Sequence, residues 1–208
     1  MISDNHQEIS GKKCQILDGA RRVFLEMGFD GASIANIVAA ANVSKGTLYA
    51  HFESKEKLFE SFIFEDRRHQ AEQLFDIDLN NSDIETVLFE LGQRFVTMIS
   101  SKEALSHLRT VIAVAGRIPT IGQAYYQAGP LFGIQKLSAY LKTQIVRGKL
   151  NIDRPEHAAC QFLDLCKSNV HLPLVMGVES EASNAGIVQN IREAVDMFLK
   201  MYKICAVV

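Results

Sequence analysis

The chain has 208 residues, with 22 Lys+Arg against 24 Asp+Glu, so its formal net charge is −2. Hydrophobic residues make up 48% and charged residues 22%, which excludes a disordered tail and allows a core large enough to need no disulfide or metal staple. The mild acidity does not by itself indicate a nucleic-acid partner, so any such role must come from a local patch.

Helical periodicity begins near Lys12, where Ile16, Leu17, Ala20, Phe24 and Met27 form one apolar stripe. Gly28 follows the last periodic residue and suits a left-handed cap, and Asp30-Gly31 reads as a turn. Ser33 can cap a second, short helix with the stripe Ile34, Ile37, Val38 and Ala41. Asn42-Val43 breaks it, and Ser44 can cap a third. There Leu48 and Phe52, four apart, point inward and leave Lys45, Gly46, Thr47, Tyr49 and His51 for the outer face. Ser54 can cap a fourth helix, with Lys55 at its first position.

Two short helices across a tight turn, the second with small and polar residues outward, describe a helix-turn-helix. Residues 31–52 contain no acidic side chain, so a polyanion meets no like charge there. Lys55 lies at a helix N-terminus, where backbone N–H groups and the dipole already favour phosphate.

The string Ile16-Leu17-Asp18-Gly19-Ala20, Phe24 to Gly31, Ser33-Ile34, Val43 to Tyr49, His51 to Glu56 and Leu58-Phe59 resembles the N-terminal domain of TetR/AcrR-type transcriptional regulators. The resemblance covers roughly a quarter of the chain, almost without gaps. It implies that Ser33, Tyr49, His51 and Lys55 hold DNA phosphates, and that Ser44, Lys45, Gly46 and Thr47 belong to the recognition helix. Phosphate contacts set position and base contacts set sequence. Thr47 is suited to a thymine methyl, and Lys45 to guanine acceptors. Ala35, Asn36 and Ala50 stand where relatives carry larger or charged residues. Base readout is therefore expected to rest on few side chains, with DNA shape contributing more.

The rest of the chain also reads as helix, with no sustained period-two alternation. Leu58, Phe59, Phe62 and Ile63 turn the fourth helix inward, and the polar run Glu65–Gln73 carries it across the surface. Asp83 precedes the stripe Ile84, Val87, Leu88, Leu91, Phe95 and Met98. Further helices are expected over Lys102–Ala115, in a short piece ending at Gly129-Pro130, and over Leu131–Arg147. Asp153-Arg154-Pro155-Glu156 reads as a capped helix start. That helix carries Phe162, Leu163, Cys166 and Val170 and ends near Pro173; the last carries Ile191, Val195, Phe198 and Tyr202. These two are apolar enough either to form half of a four-helix interface between subunits or to complete one subunit's core. The family resemblance favours the interface of a homodimer.

The stretch Leu108 to Pro119, with Ala124-Tyr125-Tyr126 and Gly129-Pro130, resembles the AefR-like C-terminal domain, which implies an inducer-binding region. From Ala104 to Ile152 there is no Asp or Glu, but there are Arg109, Arg117, Lys136, Lys142, Arg147 and Lys149. An apolar or amphipathic inducer with an accepting group met by Arg109 or Arg117 is one expectation, and solvated helix faces are the other. Phe89, Phe95, Tyr125, Tyr126 and Phe132 are candidate pocket walls.

Catalytic motifs of the GxSxG, HExxH or P-loop kind do not occur, so no enzymatic activity and no cofactor or metal is expected. Cys14, Cys160, Cys166 and Cys205 have no CxxC spacing and read as free thiols in a reducing cytoplasm. Met1–Ser10 has no apolar core of a signal peptide, and no apolar run reaches the ~18 residues of a membrane span. The expectation is an all-α homodimer: a helix-turn-helix domain over residues 1–54, and a helical ligand-binding and dimerisation domain over 55–208. Its function is ligand-responsive transcriptional control, as a repressor at a roughly palindromic DNA operator. The alternatives are an activator, a helical binding protein without operator recognition, and an all-helical enzyme.

Overall fold

The computed structural model describes the backbone of residues 2–204 and the side chains of residues 11–204; Cys205 lies outside them. The helices are α1 (Ile2–Gly31), α2 (Ile34–Ala41), α3 (Lys45–His51), α4 (Lys55–Leu74), α5 (Ile84–Ile99) and α6 (Lys102–Ala115). They continue with α7 (Pro119–Tyr126), α8 (Phe132–Val146), α9 (Pro155–Lys167), α10 (His171–Val175) and α11 (Asn184–Tyr202). Among the described residues there is no strand, only an isolated antiparallel bridge between Leu150 and Lys203. None of the described helices is long and apolar enough to cross a membrane.

Many of the ends follow from local chemistry. Gly28 takes φ 67° and interrupts α1 there, as its position after the apolar stripe predicts. Ser33 caps α2, Ser44 caps α3 and Asp83 caps α5, each accepting a hydrogen bond from the backbone N–H three residues on. Asn42 ends α2 in the left-handed region at φ 51°.

Three ends differ from expectation. Asp153 does not cap α9: the helix starts at Pro155, so Arg154 holds the cap position. The same helix stops at Lys167, well before Pro173, because Asn169 turns left-handed at φ 60°. Gly129-Pro130 does not end a helix, since Gln127–Leu131 forms a π-helical turn that leads from α7 directly into α8. The wider turn tolerates Pro130, whose missing N–H breaks a tighter ladder.

The chain forms two compact units, and the division falls inside α4. The first comprises residues 1–68 and 106–128, and the second 69–105 and 129–208. The first unit is built around Phe59, whose ring lies 4.7 Å from Phe24, 5.0 Å from Phe29 and 5.9 Å from Phe62. Ile16, Ala20, Ile37 and Leu48 from α1–α3 share this core with Val111 and Val114 of α6 and Ile121 of α7. The helix-turn-helix thus shares one hydrophobic core with α6 and α7, some sixty residues further along the chain.

The second unit packs α5, α8, α9 and α11 around Leu88, Leu91, Leu137, Tyr140, Leu141 and Phe162. The apolar stripes of α9 and α11 face inward. Phe162, Leu163, Cys166, Ile191, Val195 and Phe198 are buried within the subunit, and Val170 and Tyr202 are half-buried beside them. Phe162 and Phe198 stack edge to face at 5.4 Å. The stripe expected to meet a second subunit therefore closes the core of its own, because the two helices fold back onto each other and onto α5.

The described cysteines are all free. Burial pushes the Cys166 thiol up to about 12, whereas Cys14 is exposed on α1. Alkylation with iodoacetamide at pH 8, followed by peptide mass mapping, is expected to modify Cys14 within minutes and Cys166 only after unfolding. Native modification of Cys166 at a rate near that of Cys14 would contradict this packing.

Candidate nucleic-acid interface

The recognition surface is raised on an apolar underside. Leu48 is fully buried and anchors α3, so that Lys45, Gly46, Tyr49 and Ala50 are left exposed. The Ser44 hydroxyl accepts from the Thr47 N–H at 3.0 Å and lies 2.8 Å from the Thr47 hydroxyl. Thr47 is half-buried, its hydroxyl occupied by this cap. Lys45 Nζ sits 5.8 Å from the centre of the Tyr49 ring, so cation and phenol form one protruding unit. His51 is half-buried, and Ser33 is exposed while capping α2.

Lys55 is placed differently from the role the resemblance implies. Its Nζ donates to the carbonyls of Phe29 at 2.9 Å and Ala32 at 3.0 Å, and lies 4.4 Å from the centre of the Phe29 ring. The side chain clamps the α1–α2 turn onto the start of α4. Next to it, Glu56 is held below the usual carboxylate range by its backbone hydrogen bond and the Ser54 hydroxyl.

The contacts that fix α2 against α1 were not legible in the sequence. Gln15 Nε2 donates to the Ala41 carbonyl at 2.8 Å, and Arg22 donates to that of Ala40. Gly19 lies so close to α2 that a Cβ built on it would be 2.5–2.6 Å from the Cβ, Cα and N of Ala41. A glycine inside a helical stripe, opposite an alanine-rich helix, is the one signal that could have revealed this approach.

Four of the six proposed ligand residues lie in the first unit and two in the second. In the first, Arg109 and Tyr126 are exposed, and Tyr125 is half-buried with its ring 5.4 Å from the Arg67 guanidinium. Arg117 pairs with Asp30, at the end of α1, at 2.7 Å, with both side chains more than half exposed. In the second, Phe95 is half-buried with its ring centre 6.3 Å from that of Phe75, and Phe132 is buried with Lys136 over its ring. Much of the positive stretch from Ala104 to Ile152 has structural partners. Lys142 pairs with Glu156, Arg147 donates to the Asn80 carbonyl at 2.9 Å, and Lys149 donates to that of Ser82 at 2.8 Å.

The helix-turn-helix with its inward Leu48 and acid-free outer face leads to a comparison with known proteins. Residues 16–62 match the bacterial regulatory proteins of the tetR family, and residues 86–204 match the AefR-like transcriptional repressor C-terminal domain. The chain belongs to the TetR family. The solved structure of the flavonoid-responsive regulator FrrA is 30% identical to this TetR-family chain, covers 95% of it and 100% of its own length, and has a TM-score of 0.79. A TetR-family regulator structure from Mesorhizobium loti MAFF303099 shares the fold, with a TM-score of 0.87 at 24% identity, covering 94% of this chain and 98% of its own. The repressor Rv1474c of Mycobacterium tuberculosis (strain ATCC 25618 / H37Rv) is 37% identical over 70 residues, 34% of this chain and 36% of that protein. The chain spans between about a third and a half of the length of the first curated relatives it matches.

Proposed function

We propose that this TetR-family chain is a transcriptional repressor that binds a roughly palindromic DNA operator as a homodimer and is released by a small-molecule effector. Residues 1–54 carry DNA recognition, and residues 55–208 carry effector binding and dimerisation. The observation that carries the reading is the exposed face of α3: Lys45, Gly46, Tyr49 and Ala50 stand out on a helix capped by Ser44 and anchored by Leu48. Ser33, Thr47 and His51 flank it, and Lys55 holds the turn behind it. Two copies must be spaced by about one helical turn of DNA, ~34–36 Å, to enter successive major grooves. An effector that fits a differently spaced state better lowers DNA affinity by its differential binding free energy, typically ~1–3 kcal/mol.

Selection from a random DNA pool at ~100–150 mM salt tests this, since loose phosphate binding dominates at lower salt. Wild type is expected to enrich an inverted repeat, and Tyr49→Ala is not. Intact dimeric protein that enriches nothing, with or without effector, would remove the operator reading.

The dimer is proposed to form on the outward faces of α9 and α11. The inward faces are used up in the core, but Met197 and Met201 are 57% and 74% exposed, one turn apart on α11. They line an apolar groove with Leu165 and Tyr202. Replacing both methionines with lysine is expected to turn dimer into monomer in sedimentation velocity, with unchanged far-ultraviolet circular dichroism. A variant that still sediments as a dimer would move the interface elsewhere.

The effector is proposed to be a largely apolar, amphipathic molecule. FrrA is named as flavonoid-responsive and is related over nearly its whole length, so an aromatic polyphenol is the first class to test.

A further inference from the structure

Unsatisfied polar chemistry in the first unit gathers between α4 and α6. Arg67 on α4 is 4% exposed and His107 on α6 is 3% exposed. Each nevertheless keeps one nitrogen with no partner, Nε of Arg67 and Nε2 of His107. Most buried donors find an acceptor, and two adjacent ones without any call for an explanation.

Charge around them is uneven. Among the described residues the carboxylate that reaches Arg67 is Asp66, and it does so only at 3.6 Å. That carboxylate is shared with Arg21 of α1 at 3.2 Å and with His107 Nδ1 at 3.3 Å. Burial opposes the Asp66 charge. The hydrogen bond from His107 and the charges of His107, Arg67 and Arg21 outweigh it and hold the carboxyl below its ordinary range.

Arg67 Nη2 lies 2.6 Å from His107 Nδ1, the atom that Asp66 also approaches. Nδ1 serves one of these partners at a time: it accepts from Arg67 with the ring proton on Nε2, or it donates to Asp66 from a doubly protonated ring, and in both states Nε2–H is a buried donor facing no acceptor. The surroundings are aromatic: Phe62 meets the His107 ring edge to face at 5.6 Å, and the Tyr125 ring covers the guanidinium. Two unused N–H donors within aromatic walls are the requirements of an anionic oxygen on an aromatic body.

We propose that Arg67 Nε–H and His107 Nε2–H are the anchor of the effector site, and that they take a carboxylate or phenolate oxygen of an otherwise apolar ligand. This rests on the effector-released reading above and moves its charged contact from Arg109 or Arg117 to a buried pair. It also gives the ligand a route to the DNA-binding helices. An anionic oxygen on Arg67 Nε and His107 Nε2 brings a like charge close to Asp66, which pairs with Arg21 on α1 at 3.2 Å.

Calorimetric titration of the full chain with two matched pairs tests the anchor. One pair is 7-hydroxyflavone and 7-methoxyflavone, and the other is 2-naphthoate and 2-naphthamide. Wild type is expected to prefer the anionic member of at least one pair by about ten- to a hundredfold, and the pair that shows it identifies the oxygen. His107→Leu is expected to bring the preference within about threefold, while His107→Gln, whose amide can replace Nε2–H, keeps most of it. Arg67→Met is a second removal, and Lys142→Ala, an exposed cation of the second unit, is the unaffected control. Melting curves establish that each variant is folded.

Equal binding of charged and neutral members, binding of neither, or a preference that survives in His107→Leu and Arg67→Met would overturn the anchor and leave buried water as the partner of the two nitrogens. Operator release is measured in parallel. Release by a flavone without charge preference keeps the effector reading and removes only the anchor. No release by any probe, with operator binding intact, counts against these effectors themselves.

Discussion

Gly19→Ala is expected to lower stability by about 2–3 kcal/mol, roughly 5–10 °C in melting temperature for a chain of this size, and to weaken operator binding severely. The added methyl would stand 2.5–2.6 Å from the backbone N, Cα and Cβ of Ala41. Backbone cannot swing aside as a flexible side-chain end can, so α2 must move away from α1. That movement strains the Gln15 bond to Ala41 and the Arg22 bond to Ala40, which hold the same junction. It also tilts α3, because α2 carries α3 through the tight Asn42–Ser44 turn. Gly11→Ala is the control: nothing lies within 4 Å of its added Cβ, and it lies in the same helix. There the change should be neutral or stabilising by up to ~1 kcal/mol, from helix propensity alone. Differential scanning fluorimetry and fluorescence anisotropy on the selected operator measure both effects. Equal melting temperatures for Gly19→Ala and wild type would sink the close-contact account.

Gly46→Asp is expected to separate stability from function. Gly46 is the second residue of α3, behind the Ser44 cap, and its added Cβ would meet only the Ser44 hydroxyl, at 3.7 Å. A carboxylate in the first turn of a helix is favourable to it by some tenths of a kcal/mol. The melting temperature should therefore hold or rise slightly. The same carboxylate stands on the exposed face beside Lys45 and Tyr49, in a stretch that otherwise has no acid. Facing DNA phosphate it is repelled, and operator affinity should fall on the order of 100-fold, several kcal/mol of like-charge juxtaposition. Gly46→Ala, which adds volume without charge, should cost far less. A fall in affinity of the same size for both would show that close backbone approach, rather than charge, excludes the side chain.

The first sixty residues were largely legible in order. Caps at Ser33 and Ser44, the break at Gly28 and the inward Leu48 all depend on neighbours within four residues, so the sequence carries them directly. The same local logic failed where a wider context chose between outcomes. Gly129-Pro130 passes through a π turn, and Asn169 ends α9 ahead of Pro173. The polar run Glu65–Gln73 does not simply cross the surface, since Arg67 is buried with Asp66 and His107 around it.

By itself the sequence determined the all-helical class, the helix-turn-helix and the absence of acid on its outer face, because periodicity, capping and charge are properties of short segments. Tertiary structure decided where each apolar stripe went. The stripes of α9 and α11 are apolar enough for either a core or an interface, and they fold onto α5, leaving Met197 and Met201 outside. Val111, Val114 and Ile121 join the core of the helix-turn-helix. Lys55 turns from solvent to the carbonyls of Phe29 and Ala32, and His107 meets Arg67 forty residues away. Each of these partners is distant along the chain. No local pattern encodes such a meeting, which is settled only when the helices pack and every buried donor must find an acceptor.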